Sequence, residues 1–153
     1  MYFLFVENAK FIKGDFSSLS DNKELHSSYI LEGNNTTYFD VIVCNPPYLT
    51  DREIKSFSKS IQYEPQLALL GGGEKGIDCY EQISDSIQKC LDKNLIYDRN
   101  KTNYLVIEIP PNKGKLVIEN CFNYFKLIGI KNDENNLKRC LVYELSPDKN
   151  SIK

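Results

Sequence analysis

The stretch FDVIVCNPPYLT, residues 39–50, sets an amide, two prolines and an aromatic ring directly behind an apolar run. One proline is enough to stop a strand, so the rest of the tetrapeptide needs a chemical reason. A planar nitrogen, such as a carboxamide or an exocyclic base amine, is a poor nucleophile because its lone pair is delocalised. To be alkylated it must be held with the lone pair toward the electrophile and its hydrogens on fixed acceptors. The Asn45 carboxamide oxygen can take one hydrogen and the Pro46 carbonyl the other. Pro46 and Pro47 have no N–H and a locked φ, which stiffens the acceptors and removes competing donors. The Tyr48 ring can stack on the flat group. Taken alone, the same four residues also read as a plain strand terminator and turn.

Such a group has to be carried at the end of a buried strand. YFDVIVC, residues 38–44, is a continuous apolar run of the kind that forms a central parallel strand covered on both faces. Before it, residues 9–15 (AKFIKGD) predict a short strand ending at a Gly-Asp turn, and residues 17–38 are polar, with GNNTT as a loop. After it, TDREIKSFSKSI opens on a plausible cap and carries Ile54, Phe57 and Ile61 on one helical face. Ile77, Tyr80, Ile83, Ile87, Cys90 and Leu91 recur at helical intervals. NYLVIEI, residues 103–109, is a second buried strand, and Leu116, Val117, Cys121 and Phe125 space a further helix. KLIGIKND and KRCLVYEL close the chain as two strands around a turn at NDENN. Strand, helix, strand, helix and a closing hairpin make an α/β pattern with a mixed sheet. In such a sheet ligands sit beyond the C-terminal ends of the strands, which is where residues 45–48 fall.

Composition narrows the field. The 153 residues amount to one domain, and a net charge of −2 gives no field for coating nucleic acid. Five widely spaced cysteines with no CxxC pair argue against a disulfide framework or a zinc site and for reduced thiols inside a cell. The opening MYFLFV is too short to span a bilayer and lacks the form of a signal peptide. Arg is absent from the first fifty residues, so no presequence is visible. The compartment expected is the cytoplasm, or an organelle if a presequence lies upstream. Several other residues read as structural: His26 as solvated, Tyr80 as core and Glu108 as the ion-pair partner of Arg139, while Glu64 reads equally as a group positioning a substrate loop or as a surface helix-entry acid. GGGEKG, residues 71–76, formally satisfies GxGxxG but has neither the strand before it nor the acid after it. It reads as a flexible, gating loop instead.

NPPY behind FDVIV resembles the signature of S-adenosylmethionine-dependent methyltransferases of amide and amine nitrogens. YEPQLALLGGGEKGIDCYEQI, residues 63–83, is similar to the YEP…AL…GG..G…Y segment of the HemK/PrmC-type glutamine methyltransferases of peptide chain release factors. YLVIEI and NLKRC resemble later segments of that group, so the likeness runs from about residue 8 to residue 145. It implies a Rossmann-like class I methyltransferase fold with a mixed, mostly parallel sheet. It further implies S-adenosyl-L-methionine as cofactor and a release factor as protein partner, with no metal, membrane or nucleic acid. Asn45, Pro46, Pro47 and Tyr48 would hold the substrate amide and carry the transfer, while Asp15, Phe16 and Asn45 would meet the cofactor. Two departures stand out. Where the family reads EIG with a following Gln, this chain reads EIPPNKG, with Pro110 and Lys113 in those places. The family's Gly-rich cofactor loop, and the acid that follows its second strand, do not precede Asp15. The chain is therefore expected to be the C-terminal part of a single methyltransferase domain, lacking its N-terminal strands, that binds the cofactor weakly or not at all. Adenine-N6 methylation and a non-catalytic release-factor-binding remnant are the alternatives.

Overall fold

The computed structural model describes residues 14–22, 39–57, 61–93, 95–96 and 101–146. After a 3-10 segment at Phe16–Asp21 come strand β1 (Val41–Cys44), helix α1 (Asp51–Ser56), a one-turn helix α2 (Gln66–Leu69) and helix α3 (Asp78–Asp92). Strand β2 (Asn103–Glu108), helix α4 (Gly114–Asn120), and strands β3 (Lys126–Asn132) and β4 (Lys138–Leu145) complete it. The sheet order is β1-β2-β4-β3. β1 runs parallel to β2, so α3 lies on the crossover between them, and β4 is antiparallel to both neighbours. The architecture is α/β with a mixed sheet, as the alternation of patterns requires.

Side-chain periodicity explains the core. On α3 the apolar positions Tyr80, Ile83, Ile87, Cys90 and Leu91 are buried. They meet Leu105 and Ile107 of β2 and Leu141, Tyr143 and Leu145 of β4, alternate residues that share one face of the sheet. Phe122, Phe125 and Tyr143 add a ring cluster, with Phe122 and Tyr143 centroids 5.0 Å apart. The hairpin turn is built by Asp133, whose Oδ1 accepts from the N–H groups of Asn135 and Leu137, both at 2.9 Å. Asn136 takes the left-handed backbone there, at φ 60°.

Four expectations are corrected. β1 is not covered on both faces, because Val41 and Val43 are 48% and 76% exposed. Its burial alternates because only Ile42 and Cys44 reach the core, and among the described residues β1 has no neighbour on its outer edge. α1 stops at Ser56 with no buried residue, so Phe57 is exposed at its C-cap and Ile61 belongs to a separate 3-10 turn. A helix that buries none of its residues gains little from packing by extending. α4 ends at Asn120, although Cys121 and Phe125 are still buried beyond it. The loop at residues 71–76 is not free at its ends, since Gly71 and Gly76 are buried against the backbone of Tyr48, while residues 73–75 at its tip are exposed. The expected strand at residues 9–13, the GNNTT loop and His26 lie outside the described residues.

Candidate functional site

Asn45 follows the last residue of β1, so the parallel ladder aims the chain out of the sheet at that point. Its side chain is exposed, and among the described residues nothing hydrogen-bonds the carboxamide. Pro46 is buried beneath it, and its carbonyl takes part in no turn or loop hydrogen bond among the described residues. Pro47 and Tyr48 are half-buried. The Tyr48 ring leans on the core, and is close enough to Tyr80 to help burial push that phenol far up. The Tyr80 hydroxyl donates to the Glu108 carbonyl at 2.9 Å, anchoring α3 to the end of β2.

The turn is closed from below by the glycine loop. The Leu49 N–H donates to the Leu69 carbonyl and the Gly71 N–H to the Leu49 carbonyl, both at 2.9 Å. This bridge brings residues 70–76 against residues 48–50. A Cβ on Gly71 would stand 2.7 Å from the Tyr48 Cα, and one on Gly76 2.6 Å from the Tyr48 carbonyl oxygen. Only glycine allows that approach.

Beyond the turn, Thr50 caps α1. Its hydroxyl accepts from the Glu53 N–H, and the Glu53 carboxylate accepts from the Thr50 N–H at 2.8 Å, a reciprocal capping box. The buried Lys113 ammonium reaches the same carboxylate oxygen at 2.8 Å and the Tyr48 carbonyl at 2.6 Å. Burial pulls the Glu53 carboxyl upward, but hydrogen bonds from Lys113 and Thr50 outweigh it and hold the group below its ordinary range. Sequence reasoning met Lys113 only as a departure from a family pattern and passed over Glu53 as part of a helix. Thr-x-x-Glu at residues 50–53 was the available signal. A cleft of about 300 Å³ opens between α1 and residues 61–69, with Asp51, Ile54, Ile61 and Glu64 in its wall.

Asp15 and Phe16 sit at the start of the 3-10 segment that packs on α3. The Asp15 carboxylate accepts from the Ser17 N–H at 2.9 Å, which lowers its pKa, and the Phe16 ring is exposed. Burial first, then the charges of Asp78 and Asp15, raise the Cys79 thiol. Burial and Cys79 in turn raise Cys44, the last residue of β1. Asp15 therefore belongs to the same end of the sheet as Asn45. An acid, an open ring and an amide suit one edge of S-adenosylmethionine; no glycine-rich turn after a strand stands ahead of them among the described residues. Glu108 and Arg139 do approach, at 4.0 Å, with Arg139 also 3.4 Å from Asp133. Arg139 thereby ties the hairpin to β2.

No family model matches the chain. Curated relatives do. Over 96 residues, 61% of the chain, it is 30% identical to the ribosomal protein uL3 glutamine methyltransferase of Francisella tularensis. Over 77 residues, 48% of the chain, it is 35% identical to the release factor glutamine methyltransferase of Clostridium acetobutylicum. Its relatives are glutamine methyltransferases of the HemK/PrmC type. A bifunctional methyltransferase of Rickettsia typhi matches 80% of the chain at 30% identity. The aligned stretches amount to 30%, 27% and 22% of these three relatives, so the chain spans less than a third of the length of each of the three.

Proposed function

We propose that the protein serves S-adenosylmethionine-dependent N5-methylation of a glutamine side chain, with a peptide chain release factor as its substrate. The observation that carries this reading is the exposed Asn45 carboxamide, without a hydrogen-bond partner among the described residues, at the C-terminal end of a parallel strand. Asn45 Oδ1 and the Pro46 carbonyl accept the two hydrogens of the substrate amide and turn its lone pair outward. The cofactor supplies an electrophilic methyl group. The two oxygens then favour the positive charge that grows on nitrogen, and the surplus proton leaves to solvent past Asn45. Tyr48, half-buried on the core, offers a ring edge to the flat amide.

A second substrate, ribosomal protein uL3, is favoured by the relatives that carry its name. Adenine in DNA is disfavoured by the net charge of −2. The test is to add release factor, uL3 or adenine-containing DNA to protein carrying 15N-labelled asparagine, then to supply methyl-labelled S-adenosylmethionine. A shift of the Asn45 side-chain signals by release factor, lost when the target glutamine is replaced by alanine, and label on that glutamine are the expected results. Shift and label with uL3 alone move the reading to that substrate. Response to DNA alone, or to nothing, ends it.

A further inference from the structure

We infer that Lys113 is a positioning residue for the Asn45 acceptor: its ammonium, seated on the Tyr48 carbonyl and the Glu53 carboxylate, fixes the pitch of the turn. The kinetic part of this inference rests on the glutamine-methylation reading, and the geometric part does not. Lys113 is 7% exposed, and an ammonium so withdrawn from water needs partners. Among the described residues it has two, the Tyr48 carbonyl oxygen at 2.6 Å and Glu53 Oε2 at 2.8 Å. Glu53 cannot drift, because the Thr50 N–H and hydroxyl hold the same oxygen at 2.8 and 2.9 Å.

The consequence is geometric. Tyr48 is gripped at its carbonyl by Lys113, and Leu49 at its N–H and its carbonyl by Leu69 and Gly71. At the other end Cys44 is registered against Ile107 in the sheet. Asn45 and Pro46 are thus suspended between two fixed points, and the acceptor oxygens need no reordering when an amide arrives. Gly76 belongs to the same device. Its φ is 68°, and a Cβ there would stand 2.8 Å from Lys113 Nζ, blocking the ammonium from the carbonyl. Lys113 lies one residue ahead of α4, so the clamp also couples the end of β2 to the turn after β1.

The experiment measures amide exchange by NMR on the full chain, alongside methyl transfer, for Lys113→Met and Lys113→Arg. In Lys113→Met the Leu49 and Gly71 amides should exchange at least tenfold faster, with those of Ile107 and Leu141 unchanged. The value of kcat should fall at least tenfold with KM within twofold. Lys113→Arg, which keeps charge and donors, should bring both back to within threefold of the unaltered protein. Unchanged exchange at Leu49 and Gly71 in Lys113→Met overturns the inference. So does loosening of all four amides together in both variants, which would make Lys113 a structural cation only. If the unaltered protein methylates no glutamine, the functional reading fails, and the exchange pattern alone upholds or overturns the clamp.

Discussion

Asn45 and Glu53 lie eight positions apart and do opposite things with a side-chain oxygen. Asn45 is exposed and its oxygen has no hydrogen-bond partner among the described residues, while Glu53 Oε2 accepts from Lys113 and twice from Thr50. Replacing Asn45 with alanine should therefore leave the melting temperature unchanged and cut methyl transfer by about 10²–10³, the usual cost of losing one preorganised polar group aimed at the developing charge. An unaltered rate would leave residues 45–48 as a turn and no more. Glu53 carries the pH dependence. Its folded pKa lies below the ordinary 4.5, so its contribution is complete above that value and is lost as pH falls through the lower folded value. Acid unfolding monitored by circular dichroism should show a shallower loss of stability below pH 4.5 in Glu53→Gln than in the unaltered protein.

At the scale of elements, the glycine loop and the cap of α1 decide how the turn is held. A Cβ on Gly71 would meet the Gly76 carbonyl at 2.4 Å and the Tyr48 Cα at 2.7 Å, both backbone atoms that cannot swing away. Gly71→Ala should destabilise by about 2 kcal/mol, as overpacking does, and should slow methyl transfer as well because it displaces Tyr48. Removing the Thr50 cap with alanine should cost about 1 kcal/mol. Urea melts of both variants give the two figures, and a smaller loss for Gly71→Ala than for Thr50→Ala would contradict the packing described. The loop was expected to move. Its glycines instead serve close approach, which a one-dimensional pattern cannot distinguish from flexibility because both need the residue without a Cβ.

At the scale of the molecule, one sheet face is closed by α3 and α4 and the other is open at β1. Ile107→Ala, from the closed face, should cost about 2–5 kcal/mol. Val43→Ser, at a position 76% exposed, should cost less than about 0.5 kcal/mol by the same denaturant measurement. A large penalty at Val43 would mean that this face is covered in solution. The apolar run at residues 38–44 made it a strand, yet hydrophobicity alone does not say how many layers will lie on it. The sequence by itself determined the elements, since periods of two and 3.6 are written in consecutive residues. It also determined the amide-proline-proline-tyrosine turn at a strand's end, because proline geometry is local. Only the tertiary structure decided that Lys113 reaches Glu53 and Tyr48 across sixty and sixty-five positions. Only it decided that Gly71 and Gly76 press on Tyr48, and that Val43 faces water. These are contacts between segments distant in the chain, set by how layers pack and not by any local preference.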